Sequence, residues 1–150
     1  MRTSHEELVE IIKLHQKYLA GDSDGAKAVL KNAELYASNL ANATLKGANF
    51  ENTSFKRALL WGIDLEGAIL NGANMKRAML QDAILRDAQL VGAFLKNADL
   101  DNSDLCGANL TDANLDDASF QGALYDEKTI WPKGFDPESV GAKLFKSSGK

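Results

Sequence analysis

The sequence predicts an all-β solenoid with a short α-helical cap at its N-terminal end, and three observations carry that reading. From Leu30 to Tyr125 every fifth residue is large and apolar: twenty centres filled by fifteen Leu, three Phe (Phe50, Phe55 and Phe120), Met75 and Tyr125. Two residues before each centre stands Ala in sixteen of the twenty cases, with Ser38, Thr53, Ile63 and Ser103 as exceptions. Two residues after each centre, sixteen of the twenty are Gly, Asn or Asp.

A helix cannot use this pattern. At about 100° per residue, the Ala and the Leu two positions later point to nearly opposite sides, and no apolar stripe forms. In extended chain, positions two apart share a side, so Ala and Leu both face inward while the residues flanking Leu face out. The fifth position then turns the chain, and Gly, Asn and Asp suit that corner because they tolerate unusual backbone angles or bond their own backbone. The small Ala fits where opposing walls approach. Ile63 breaks that rule, which predicts a local widening or a shifted strand at that level.

Units such as Ala48-Asn49-Phe50-Glu51-Asn52 and Ala108-Asn109-Leu110-Thr111-Asp112 resemble the motif of the pentapeptide-repeat family, a small residue, a polar one, Leu or Phe, then two variable positions. The resemblance runs through residues 26–127 without a slip of register. It implies a right-handed quadrilateral β-helix, four pentapeptides to each 20-residue coil and about five coils in this chain. Stacked at the strand spacing of ~4.8 Å, five coils make a rod about 24 Å long.

A solenoid has no edges along its sides but two open ends, and both need lids. Residues 1–25 are expected to form the first. Residues 4–20 read as an amphipathic helix, with Ser4 as N-cap, Glu7 completing a capping box, Leu8, Ile11, Ile12, His15 and Leu19 on one face, and Gly21 as its stop. The stretches around Leu14-His15, Tyr18–Gly21 and Gly25–Leu30 also resemble lead-ins of the same family. Residues 128–150 are expected to cap the other end, with Ile130, Trp131 and Phe135 plugging the last coil, Pro132 and Pro137 stopping further strand, and residues 146–150 frayed. Thr129–Pro137 resembles a tail frequent among cyanobacterial members. In that family the C-terminal coil can also dimerise, so the same three residues are equally candidates for a homodimer contact.

Composition bounds the function. The longest apolar run is Ala58–Trp61, far short of the roughly 20 residues that span a bilayer, and the N-terminus lacks the apolar stretch of a signal peptide. Together with a single cysteine, Cys106, which has no partner for an internal disulfide, this predicts a cytoplasmic chain with no membrane association. A net charge of −4 argues against direct nucleic-acid binding, which needs a basic excess.

Catalytic material is sparse. There are two His, both before residue 16, one Cys, and carboxylates spread around the rod, so the expectation is a non-enzyme with no cofactor and no metal. His15 reads as a packed cap residue, and Cys106, just after a centre, as an outward thiol. Three apparent motifs are by-products of the five-residue register. Gly62, Gly67 and Gly72 lack the Lys-Ser or Lys-Thr of a phosphate loop, Asp99–Asp104 lacks the Gly of a calcium loop, and the sequons at Asn42, Asn52 and Asn109 matter only in a secreted chain.

The surface is more informative, because residues 20 apart should stack. Lys56, Lys76 and Lys96 form one column with Arg57 and Arg77 beside it, readable as a solvated face or as a docking strip for an acidic partner. Leu59, Trp61 and Met79 should form an outward apolar patch on adjacent coils, covered by the chain's own ends or by another protein. From Ala98 to Glu127 there are eight acidic residues and no basic ones, readable as a solubilising surface or as a DNA-like acidic end. Two functions follow as expectations. One is a protein-interaction module serving an unidentified protein partner, with Trp61 as its anchor. The alternative, taken from the resemblance, is a DNA mimic that binds or protects a type II topoisomerase such as gyrase.

Overall fold

The structure, a computed structural model, describes residues 2–146; of the expected frayed end, residues 147–150 therefore lie outside the described residues. Helix α1 spans His5–Leu19 and starts in the expected capping box: the Glu7 N–H donates to the Ser4 hydroxyl, and the Ser4 N–H donates to the Glu7 carboxylate. Ala20 caps its C-terminal end and Gly21 follows in the left-handed region, φ 82°. Leu8 and His15 are buried, and Ile11 and Ile12 pack against the core. Leu19 does not join them; it sits in the last turn, 40% exposed.

Beyond the helix the backbone repeats every 20 residues. Parallel bridges join Val29 to Asn49, Glu34 to Ser54, Asn39 to Leu59 and Thr44 to Asp64, and the four ladders so begun continue at the same offset to the Asp104–Leu124 bridge. Two kinds of hydrogen bond build each ladder. The N–H of a centre residue reaches one coil onward, as Leu60 to the Met79 carbonyl, and the N–H of the residue before it reaches one coil back, as Leu59 to the Ser38 carbonyl. Side chains at the centres and two residues before them fill the interior, and most are fully buried. The hydroxyls of Ser38, Thr53 and Ser103, which replace Ala there, donate to the Leu35, Leu30 and Leu100 carbonyls, so none is stranded in the core.

Each corner is one turn. The N–H of the residue three past a centre bonds back to that centre's carbonyl, as Ala33 to Leu30, and the residue two past the centre has positive φ at every corner from Asn32 to Gly122. A left-handed third position is the type II arrangement, which is why Gly, Asn and Asp dominate there. Ile63 does not disturb the register: it is fully buried, and the bridges Thr44–Asp64 and Asp64–Ile84 beside it keep the 20-residue offset. The shifted strand that its bulk suggested does not occur at that level.

Both ends are closed by the chain itself. His15 Nδ1 accepts from the Ala28 N–H and its Nε2 donates to the Lys46 carbonyl, each at 2.9 Å, which fixes a neutral ring with its proton on Nε2. At the other end Trp131 and Phe135 stack on each other, with centroids 5.0 Å apart, and both meet the edge of Phe120. Ile130 does something else: it bridges Asn109 and turns its side chain outward, 50% exposed, so it is not part of the plug. The tail then adds a piece of a further coil, because strand β1 (Leu124–Tyr125) pairs in parallel with β2 (Lys143–Leu144).

Candidate functional site: a basic corner beside an apolar row

One row of turns, taken at the 20-residue offset, differs from the rest. Its left-handed positions, one per coil, are Ala37, Arg57, Arg77, Asn97 and Asp117, with φ between 55° and 60°. The other rows of turns all contain glycine, and at several of those glycines a side-chain oxygen of the preceding coil would have to shift to admit a Cβ. A Cβ on Gly62 would lie 2.2 Å from Asn42 Oδ1, and one on Gly107 would lie 2.1 Å from Asp87 Oδ1. Only this corner has no glycine, and only here does arginine take the left-handed conformation, which costs a residue with a Cβ roughly 1–2 kcal/mol.

Beside the two arginines run Lys56, Lys76 and Lys96, each the residue after a centre. The ladder bonds place them in consecutive coils: the Arg57 N–H reaches the Lys76 carbonyl and the Arg77 N–H reaches the Lys96 carbonyl, both at 3.0 Å. The expected column is therefore real. Other rod cations meet carboxylates: Lys31 lies 3.2 Å from Glu51, Lys46 lies 3.7 Å from Asp64, and Arg86 lies 2.5 Å from Asp104. Among the described residues, no carboxylate lies within 4.0 Å of any of the five cations of this corner.

The apolar patch begins where the corner ends. Leu59 and Met79 pair across two coils, two residues past Arg57 and Arg77. Met79 lines a hollow together with Arg57, Arg77 and Asn97, and Tyr36 lines the adjoining one with Lys56, Arg57, Lys76 and Arg77. Trp61 and Met79 are 41% and 39% exposed, so neither α1 nor the tail folds over them. Leu59 is half-buried between its neighbours. Below the patch, Gln81 Nε2 donates to Asp99 at 2.9 Å, and a carboxylate border begins.

The remaining candidates fall elsewhere. Cys106 is buried, 8% exposed, and not outward as its place after a centre predicts. Burial, then a hydrogen bond to Asp104, push its thiol up to about 12, leaving it protonated and inert at neutral pH. The charges of Asp104 and Asp126 push it the same way and Arg86 the other, which no spacing rule reveals. Among the described residues, no group of three or more His, Cys, Asp or Glu is placed to hold a metal. No helix among them is long and apolar enough to cross a membrane.

A role that sequence reasoning missed belongs to the carboxylates and amides just before the centres. Asp64, Asp99, Asp104, Asn74 and Asn109 each accept the N–H two residues on, closing an Asx turn over the corner. The alternation of Asn or Asp with a polar residue two positions later was the available signal. Asp101 binds the Ser119 hydroxyl and the Gln121 N–H one coil onward. Asp126 takes the N–H groups of Gly107, Lys128 and Thr129; partial desolvation pushes its acidity one way, but these bonds outweigh it and hold the carboxyl below its usual range.

Comparison with known proteins agrees with this geometry. Residues 26–62, 62–97 and 88–124 match the model of the pentapeptide repeats, in 8 copies. Pentapeptide repeat protein Rfr23 from the cyanobacterium Cyanothece 51142 is similar at 24% identity and a TM-score of 0.59, over 79% of this chain and 96% of that one. A pentapeptide repeat protein of the Arabidopsis thaliana thylakoid lumen is similar at 22% identity and a TM-score of 0.65, over 78% and 82%. QnrB1, a plasmid-mediated fluoroquinolone resistance protein, is similar at 19% identity and a TM-score of 0.50, over 80% of this chain and 66% of that one. No curated protein matches significantly. With the repeat matched across most of its length and the same solenoid in its structural relatives, the chain belongs to the pentapeptide repeat family and folds as a right-handed β-helix.

Proposed function

We propose that this chain is a non-catalytic protein-interaction module, a rigid rod that presents the basic corner and the adjoining apolar row to a protein partner. We further infer that the rod is four-sided with about five coils, from four bridge ladders at a 20-residue offset, and that it works in the cytoplasm, where a lone thiol is at home. The observation that supports the interaction reading is the coincidence of two unfavourable features on one surface. Unpaired cations stack at a strained corner, and Trp61 and Met79 stand exposed next to them. Contiguous apolar exposure of this kind marks contact sites.

The DNA-mimic reading, with a topoisomerase such as gyrase as partner, draws support from the fold likeness to QnrB1 alone. Against it, half of the acidic end has structural work: of its eight carboxylates, Asp99, Asp101, Asp104 and Asp126 accept from backbone N–H groups of the corners. Homodimerisation through the C-terminal end loses its main support as well, since Trp131 and Phe135 pack within their own rod.

The test is affinity capture from the native host with the wild-type chain and with the Leu59→Ser, Trp61→Ala double variant. The reading expects a protein retained by the wild type and lost by a variant whose circular dichroism is unchanged. Equal retention by both contradicts it, and inhibition of gyrase supercoiling by the wild type favours the mimic instead.

A further inference from the structure

Of the surfaces of the rod, the basic corner is the one whose chemistry defines its occupant. Five cations without a carboxylate among the described residues call for an anion. The strip is short, two coil steps of ~4.8 Å from Lys56 to Lys96, and the same column continues into exposed Asp116 and Asp117. Around the corner, the apolar row gives way to Asp99 and Asp101. Extended toward the C-terminal end of the rod, a phosphate backbone on either row meets carboxylates one coil past Lys96 or Met79, on a chain that is acidic overall. A second copy is no better suited: set against itself in antiparallel fashion, the corner opposes five cations to two carboxylates and leaves lysine facing lysine or arginine. What remains is a segment with both carboxylates and bulky apolar side chains, because Met79 shares one hollow with Arg57 and Arg77, and Tyr36 shares the next with the lysines.

We propose that the occupant of this surface is an acidic, apolar-studded segment of a partner protein. Its carboxylates sit on the guanidinium forks of Arg57 and Arg77, and its aromatic or aliphatic side chains sit on Leu59, Met79 and Trp61. Arginine rather than Asn or Gly holds the two corner positions because a planar fork accepts a carboxylate bidentately. This deepens the interaction reading and rests on it.

The test uses the full chain and a short labelled peptide in which Glu alternates with Leu and Phe, followed by fluorescence anisotropy. Controls are the same peptide with Gln for Glu, and single- and double-stranded DNA of matching length. The variant is Arg57→Asn, Arg77→Asn, which returns the corner to residues that its turn accepts elsewhere, as at Asn52 and Asn97, so the fold survives. The proposal expects binding of the Glu peptide that falls roughly tenfold in the variant and on replacing Glu by Gln, with weaker binding of either DNA. Absence of Glu-peptide binding, equal binding by the variant, or tighter binding of DNA overturns it. If the variant still captures the host protein that the Leu59→Ser, Trp61→Ala chain loses, the interaction reading stands and the acidic-partner inference alone fails.

Discussion

The corner carrying Ala37, Arg57, Arg77, Asn97 and Asp117 and the next corner round, Asn42, Gly62, Asp82, Asn102 and Gly122, have the same turn and a left-handed φ, 55–60° at the first and 60–74° at the second. They differ only in what the side chains do. At the second corner Asn42 Oδ1 lies over Gly62 and Asn102 Oδ1 lies over Gly122, 2.2 and 2.3 Å from where a Cβ would stand, so amide and glycine interlock along the rod. The first has no glycine to pair with an amide; two exposed arginines hold a conformation they disfavour. One corner is built for packing and the other is kept despite its cost, and that contrast is what assigns the function to one side of a nearly regular rod.

The contrast breaks most visibly if the arginine is moved. Gly62→Arg puts a Cβ into the space of Asn42 and forces an unfavourable φ, and we expect a loss of about 2–4 kcal/mol in urea denaturation. A loss no larger than a few tenths would mean the two corners are interchangeable.

The next largest effect separates corners from caps. His15→Ala leaves the Ala28 N–H and the Lys46 carbonyl without their partner, and should cost about 2–3 kcal/mol in the same measurement. It also carries the pH dependence. Burial, partly opposed by the bond to Lys46, holds the His15 ring below its ordinary value of 6.5, so the unfolded chain binds the extra proton more readily. Its stabilising contribution is complete above that value and declines as pH falls below it, through the lowered folded value. A melting temperature that drops from about pH 7.5 to about pH 5 in the wild type, and much less in His15→Gln, is expected; identical pH profiles would remove His15 from the account.

A smaller effect isolates strain from charge. Ala37 shares the left-handed conformation, φ 55°, without any cation, so Ala37→Gly should stabilise the chain by about 1 kcal/mol. No gain there would mean that the first corner is not strained at all. Smallest in energy is Cys106, whose protonated, buried thiol should react with a thiol reagent at pH 8 only when denaturant opens the rod; rapid labelling of the folded chain would contradict its placement.

The regular part of this molecule was legible because it is written in a period. Leu, Ala and the corner residue each recur at a fixed offset, and the capping box at Ser4 and Glu7 is a local signal that the helix obeys. The parts that sequence did not disclose are those decided by residues a whole coil away. Cys106 occupies an outward position, yet it is buried, beside the place where Asp126 takes the Gly107 N–H. Ile130 has the composition of a plug but arrives one residue out of step, bridging Asn109 at an offset of 21, and faces solvent. Ile63 looked too large for its place, but register does not depend on one interior side chain when hydrogen bonds hold the ladder on both sides. For the candidate site, the column of lysines and arginines and its lack of glycine followed from the 20-residue spacing; that no carboxylate among the described residues comes within 4.0 Å of these cations, and that the two arginines take the left-handed conformation, are visible only in the folded chain.

The most direct measurement of the central claim is the melting temperature of the Arg57→Asn, Arg77→Asn chain beside the wild type. If the two arginines are retained for a partner at the expense of the fold, the variant melts several degrees higher, about 1–2 kcal/mol more stable. A lower melting temperature would show that the arginines serve the rod itself, and the case for this corner as a binding surface would go with it.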